Sequence, residues 1–148
     1  MDVNDLLKNP DKLKKVLREA IWYNDRKLAE ALIPLVKNPH LTYLYASEII
    51  KGKIKDEWED IIAQNEVYSF HYAKNILKGK FEKGEEVISK STEYSFHYAQ
   101  NILKSRFEEG EESIIKDNYY LKNYVEFLKQ IGRLDEFLKD HPKIKLEN

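Results

Sequence analysis

The sequence predicts an all-α fold, an α-solenoid of about five stacked helical hairpins with a period of about 26 residues. Three observations predict it: adjacent segments copy one another, apolar residues inside a copy recur at helical spacing, and a helix-capping connector precedes each copy. Residues 68–93 read YSFHYAKNILKGKFEKGEEVISKSTE and residues 94–119 read YSFHYAQNILKSRFEEGEESIIKDNY; 17 of the 26 paired positions are identical. Agreement at that level marks duplication of one structural unit.

The remaining units follow from this register. Residues 41–67 keep Tyr45, Ala46, Ile49, Lys51, Gly52 and Lys53 at matching places, and residues 120–139 keep Tyr120, Tyr124 and Leu128. Residues 10–37 have the same hairpin rhythm in different words. The units therefore fall at about 10–37, 41–67, 68–93, 94–119 and 120–139 within one repeat domain spanning 1–148, the outer two serving as caps. Connectors stand before each: Lys8-Asn9-Pro10, Lys37-Asn38-Pro39, Gln64-Asn65-Glu66, Lys90-Ser91-Thr92 and Lys116-Asp117-Asn118, with Lys139-Asp140-His141-Pro142 closing the array. Asn, Ser and Asp there can accept a bond from the first free helical amides, and proline is pre-set for a first helical turn.

The first helix of a unit is read from its apolar offsets. With Tyr68 as offset 0, apolar residues fall at offsets 0, 2, 4, 5, 8 and 9: Tyr68, Phe70, Tyr72, Ala73, Ile76 and Leu77. At about 100° per residue they cover an arc of roughly 200°, wider than a helix on a single surface needs, so this helix is expected to be buried on two sides. Offset 1, inside that arc, is small in three units (Thr42, Ser69, Ser95), which suits close helix approach; Leu121 breaks the pattern. Lys-Gly-Lys at 51–53 and 78–80, and Lys104-Ser105-Arg106, end the helix, with Gly52 and Gly79 expected as left-handed caps. Ile54, Phe81 and Phe107 then plug the turn. The shorter second helix opens on acids (Glu57 and Glu59, Glu85 and Glu86, Glu111 and Glu112) and buries Ile61, Ile88 and Ile114.

Composition bounds the function. With 25 Lys+Arg against 26 Asp+Glu, the net charge of -1 gives no global pull toward nucleic acid or an anionic membrane. The absence of cysteine excludes disulfides, thiol catalysis and thiolate metal sites, and suits a reducing compartment. No apolar run of about 18 residues offers a membrane span, and Met1–Asn9 does not read as a signal peptide. The expected setting is the cytoplasm, without a membrane partner.

The conspicuous charges have two readings. Lysines at helix ends and glutamates at the following helix starts complement helix dipoles for about 0.3–1 kcal/mol each, with the carboxylates exposed. Alternatively Lys51, Lys53, Lys78, Lys80, Lys104, Arg106 and Arg133 form a basic ridge along one edge that contacts phosphates. Opposite the buried arc lie offsets 3, 6, 7 and 10: Leu44, Ser47, Glu48 and Lys51; His71, Lys74, Asn75 and Lys78; His97, Gln100, Asn101 and Lys104; Asn123, Glu126, Phe127 and Gln130. Such ladders offer hydrogen-bond donors to carboxylates, phosphates or a partner's backbone. Simple inheritance of solvated residues by duplication would also produce them. The face carrying His71, Lys74, Asn75, Lys78, His97, Gln100, Asn101 and Lys104 is the expected binding surface.

No catalytic residue, cofactor or metal site is expected. His71 and His97 hold equivalent places one repeat apart, no His-Glu-x-x-His occurs, and the glycines at 52, 79, 84, 110 and 132 are scattered singly rather than forming a phosphate loop. The ten tyrosines fall mostly at buried offsets, and Trp22 and Trp58 are each open to a partner-anchor or a packing role.

The phrases YSFHYAKNILKGKFEKGEEVI and YSFHYAQNILKSRFEEGEESI resemble the short tandem helical-hairpin repeats, rich in Tyr-Ala and in Lys-Gly-Lys/Arg-aromatic followed by acids, of proteins from large tailed bacteriophages. The resemblance covers 41–119; those repeats often carry proline after the turn aromatic, where this chain has Glu82 and Glu108. It implies a phage-encoded protein in the host cytoplasm that modulates a host factor, and confers no activity. Residues and resemblance together predict a non-enzymatic protein that binds another macromolecule, most readily a protein. Nucleic-acid binding through the basic ridge, or a small anionic ligand such as a nucleotide held between repeats, are the alternatives.

Overall fold

Each connector read from the sequence starts a helix in the computed structural model, which describes residues 3–146. The helices are α1 (Val3–Leu7), α2 (Pro10–Trp22), α3 (Arg26–Val36), α4 (Pro39–Leu44), α5 (Asp56–Ile62), α6 (Glu66–His71), α7 (Glu85–Ser89), α8 (Thr92–His97), α9 (Glu111–Ile115), α10 (Asn118–Ile131) and α11 (Leu134–Asp140). No strand occurs among the described residues. The caps are those the sequence predicts: the side chains of Asn9, Asn38, Asn65, Ser91 and Asp117 accept bonds from the amides of Lys12, Leu41, Val67 and Tyr68, Tyr94, and Tyr120. Pro10 and Pro39 occupy the first helical turn, where a missing amide proton costs nothing.

One feature of the backbone has no counterpart in the sequence reading. Helices α4, α6 and α8 do not continue as α-helix; they widen into π-helix over Tyr45–Ile50, Tyr72–Leu77 and Tyr98–Leu103. Each wide turn closes on the carbonyl of a fully buried alanine, Ala46, Ala73 or Ala99, which accepts from the amide five residues on. That amide belongs to a lysine in left-handed conformation: Lys51, Lys78 and Lys104 have φ of 56°, 52° and 51°. The expected caps Gly52 and Gly79 are not left-handed. The cap falls on the lysine because the following residue's amide is already drawn back to the same alanine carbonyl, as Gly79 N and Ser105 N show.

The chain falls into two compact units, 1–87 and 88–148, divided inside α7. In the first, α2 pairs with α3 and α4 with α5, while the leading helices α2, α4 and α6 lie side by side. Its core holds Leu17, Ile33, Leu41, Tyr45, Ile62 and Tyr72, with Ile54 and Phe81 plugging the turns and Trp58 edge-on to Tyr45. In the second, α9 packs on both α8 and α10, and α10 on α11, around Tyr98, Phe107, Ile114, Tyr124, Leu128 and Phe137. Phe127, expected on the outward face, is instead buried, with its ring 6.4 Å from that of Tyr124.

Small residues at offset 1 bond to the hairpin before and pack against the turn of their own. Ser69 and Ser95 are fully buried and donate to the carbonyls of Ile62 and Ile88. Opposite them, Gly84 and Gly110 close short 3-10 turns (Glu82–Gly84, Glu108–Gly110) so tightly that a Cβ on Gly84 would come within 2.7 Å of Ser69 Cβ. A Cβ on Gly110 would come within 2.6 Å of Ser95 Cβ.

Candidate interaction face

Acids at the second-helix starts divide into two sets, which settles what they do. Glu59 and Glu111 are buried, contrary to the exposed placement the sequence suggested, and each meets a buried tyrosine from the next hairpin 13 residues on. The Tyr72 hydroxyl donates to Glu59 Oε2 at 2.6 Å and accepts from the Ile54 amide, while Lys53 Nζ reaches the same carboxylate at 3.0 Å. In the second unit Tyr124 donates to Glu111 at 2.5 Å and accepts from the Phe107 amide. Arg106 grips Glu111 with Nε (2.9 Å) and Nη2 (2.6 Å), and His141 Nε2 donates to it at 3.1 Å. Tyr45 repeats the arrangement more loosely by donating to Glu30.

These bonds set the protonation states. Burial pushes the Tyr45 hydroxyl up to about 12, helped by its bond to Glu30, and raises Tyr72 and Tyr124 as well. Burial alone would raise Glu111, but its bonds to Arg106, Tyr124 and His141 outweigh it and hold the carboxyl below its ordinary range. Four bonds to Glu111, two on each oxygen, fill its roughly four acceptor sites and tie α9 to α10, to the preceding turn and to His141.

Arg106 consequently leaves the basic ridge. Its side chain is buried, tied to Glu111 and to Asp140 at 2.9 Å, so it offers nothing to a phosphate. Lys53, at the equivalent sequence position, is bound to Glu59, and Lys80 pairs with Glu82 at 3.5 Å. Arg133 pairs with Glu136. Of the expected ridge, Lys51 and Lys78 in the first unit and Lys104 in the second stay exposed; all three are left-handed, and no carboxylate oxygen of the described residues lies within 4.0 Å of their ammonium groups. Lys37, in the connector before α4, ends α3 with φ of 51° in the same way.

The predicted face is present in part. In the first unit Lys74, Asn75 and Lys78 are exposed along one strip of the π segment, and Asn75 Nδ2 donates to the Tyr43 hydroxyl at 3.1 Å. In the second unit Gln100, Asn101 and Lys104 are exposed at the equivalent places. His71 and His97 belong to a different layer. Each is half-buried among rings, His71 against Phe70 and Tyr43, His97 against Phe96 and Tyr120. Burial, then the nearby Lys74, lowers the His71 pKa, which favours the neutral ring at pH 7. Both rings pack among aromatic neighbours rather than standing on the exposed strip.

Trp58 is packing: it is buried, with the Lys55 ammonium 4.3 Å above its ring. Trp22 is the opposite case, 82% exposed at the end of α2 beside an exposed Tyr23. No helix among the described residues is long and apolar enough to cross a membrane. No group of three metal-ligating side chains occurs among the described residues.

Comparison with family models, curated proteins and solved structures finds no match.

Proposed function

We propose that this is a non-enzymatic helical-repeat protein whose hairpins stack as one solenoid and whose leading-helix face binds a protein partner. The observation that carries the binding role is the left-handed lysine that ends each π segment. A non-glycine residue in that conformation costs about 1–2 kcal/mol, and glycine would relieve it. Lysine nevertheless stands there in Lys51, Lys78 and Lys104, without an ion-pair partner among the described residues. Strained residues of this kind are maintained where the side chain has a use. Single π turns also concentrate at functional sites, and here three of them carry Glu48, Lys74, Asn75, Gln100 and Asn101 outward.

A protein partner is favoured over nucleic acid because the cations that would have made a continuous ridge are spent: Arg106 on Glu111, Lys53 on Glu59, Lys80 on Glu82. The exposed face mixes ammonium groups with amides and one carboxylate, the mixture of a protein interface rim. The proposed setting is the cytoplasm of a bacterial host and the proposed role is modulation of a host factor, both resting on the likeness of the repeats to those of tailed phages.

Affinity capture from a bacterial lysate tests the reading. The wild-type chain is expected to retain a defined protein, and the Lys78→Glu/Lys104→Glu variant to lose it; equal retention by both removes this face. For the captured complex, a fall in affinity of less than about tenfold between 50 and 200 mM salt fits a protein partner, whereas a loss of about 10³ or more marks phosphate contacts.

A further inference from the structure

The first unit carries a groove at the point where Trp22 is exposed. It lies between the C-terminal half of α2 and the helix formed by α4 and its π extension, with a volume of about 690 Å³. Ile21, Leu41, Leu44 and Ile49 supply an apolar surface, and Trp22 forms a wall. Arg18 and Lys51 stand on opposite sides of it, from α2 and from the left-handed end of the π segment. Neither has a carboxylate oxygen of the described residues within 4.0 Å, although Glu48 lines the same groove. Positive charge extends beyond the groove: Arg18 and Lys14 add to burial in lowering the pKa of His40 at the start of α4.

We propose that this groove docks a short acidic segment of a partner protein, one large apolar side chain lying on the floor and carboxylates beside it meeting Arg18 and Lys51. The inference rests on the protein-binding reading above and gives that reading a place and a ligand chemistry. The groove falls on the predicted face, since Leu44, Glu48 and Lys51 are offsets 3, 7 and 10 of their unit. Charge complementarity selects the flanking residues of the occupant, because two cations without partners face an apolar floor and carboxylates are their natural counter-charge. The floor selects a side chain over a sugar-phosphate chain, because Leu41, Leu44 and Ile49 offer no donor to a phosphate. An exposed tryptophan beside an apolar floor is the usual composition of an interface anchor.

The test uses the full chain and a randomised library of twelve-residue peptides displayed on filamentous phage. Selected sequences are synthesised and titrated against the wild type and against Trp22→Ala, Arg18→Glu and Lys51→Glu, all changes at exposed side chains. Enrichment of Asp or Glu around Leu, Phe or Trp is expected, with affinity falling at least tenfold in each variant. Trp22 should become shielded from acrylamide quenching on binding. Enrichment without acids, or affinity unchanged in the three variants, overturns the proposal. So does a dimer in sedimentation that Trp22→Ala dissociates, which would make the occupant a second copy, or binding of a 20-nucleotide oligothymidylate that Arg18→Glu abolishes. Peptides that lose affinity with Lys78→Glu and Lys104→Glu but not with Arg18→Glu leave the protein-binding reading standing and remove the groove. Insensitivity to both sets removes both.

Discussion

A lysine with φ of 51° places its Cβ against its own carbonyl, and Lys104 holds that conformation at the close of a π turn. Replacing it with glycine removes the clash while keeping the turn's bonds to the Ala99 carbonyl. Lys104→Gly should therefore stabilise the chain by about 0.5–1 kcal/mol, read as a higher urea midpoint at unchanged slope. The identity of the left-handed residue is legible in the three central copies: the glycine expected as cap is replaced by Ser105 in one of them, while Lys51, Lys78 and Lys104 hold the position before it in all three. Gly110 shows the converse. Its isolation in the sequence suggested an ordinary turn, yet it is buried against Ser95 and Phe107 with no room for a methyl group. Gly110→Ala is expected to destabilise by about 1–3 kcal/mol, the usual cost of overpacking, in the same urea titration.

Between elements, the tyrosine–carboxylate pairs carry polar bonds where one hairpin meets the next inside each unit. In the second unit Tyr124 of α10 and Arg106 of the preceding turn converge on Glu111 of α9, and His141 after α11 completes the set. Because the folded carboxyl is held below its ordinary pKa, its contribution is full at neutral pH and is lost as pH falls through the depressed value. Glu111→Gln should cost about 3 kcal/mol at pH 7, since it leaves Arg106 buried with only part of its counter-charge. The same variant should lose less stability than the wild type between pH 7 and pH 3; parallel pH profiles would show that Glu111 does not carry this linkage. These pairs were hidden because an acid in a first helical turn has a ready dipole explanation. The signal lay in the 13-residue spacing from each buried tyrosine, whose hydroxyl must find an acceptor when buried. The π segments left no such trace, since Tyr-Ala-x-Asn-Ile-Leu satisfies an α-helical apolar pattern equally well and only the choice of carbonyl distinguishes the two.

Across the described residues, the leading helices, their N-caps and the buried Tyr45, Tyr72, Tyr98 and Tyr124 were legible because duplication fixes the register and polar connectors mark five helix starts, whereas Tyr68, Tyr94 and Tyr120, expected buried, are half-buried at the start of their helices. The face was legible only as a pattern of offsets. Burial sorted it, placing His71 and His97 among rings and Arg106 in the interior, and leaving Lys51, Lys78 and Lys104 outward. Trp22 was visible from the start, but its repeat is too divergent for offsets to say which way it points. A net charge of -1 gives the molecule no strong overall field toward a partner of either sign. The most direct test of the account is capture from bacterial lysate by the Lys51→Gly/Lys78→Gly/Lys104→Gly variant beside the wild type. The account predicts a variant that unfolds at higher urea concentration and no longer retains the protein the wild type retains. A variant that retains it undiminished would contradict the claim that these lysines are held for binding.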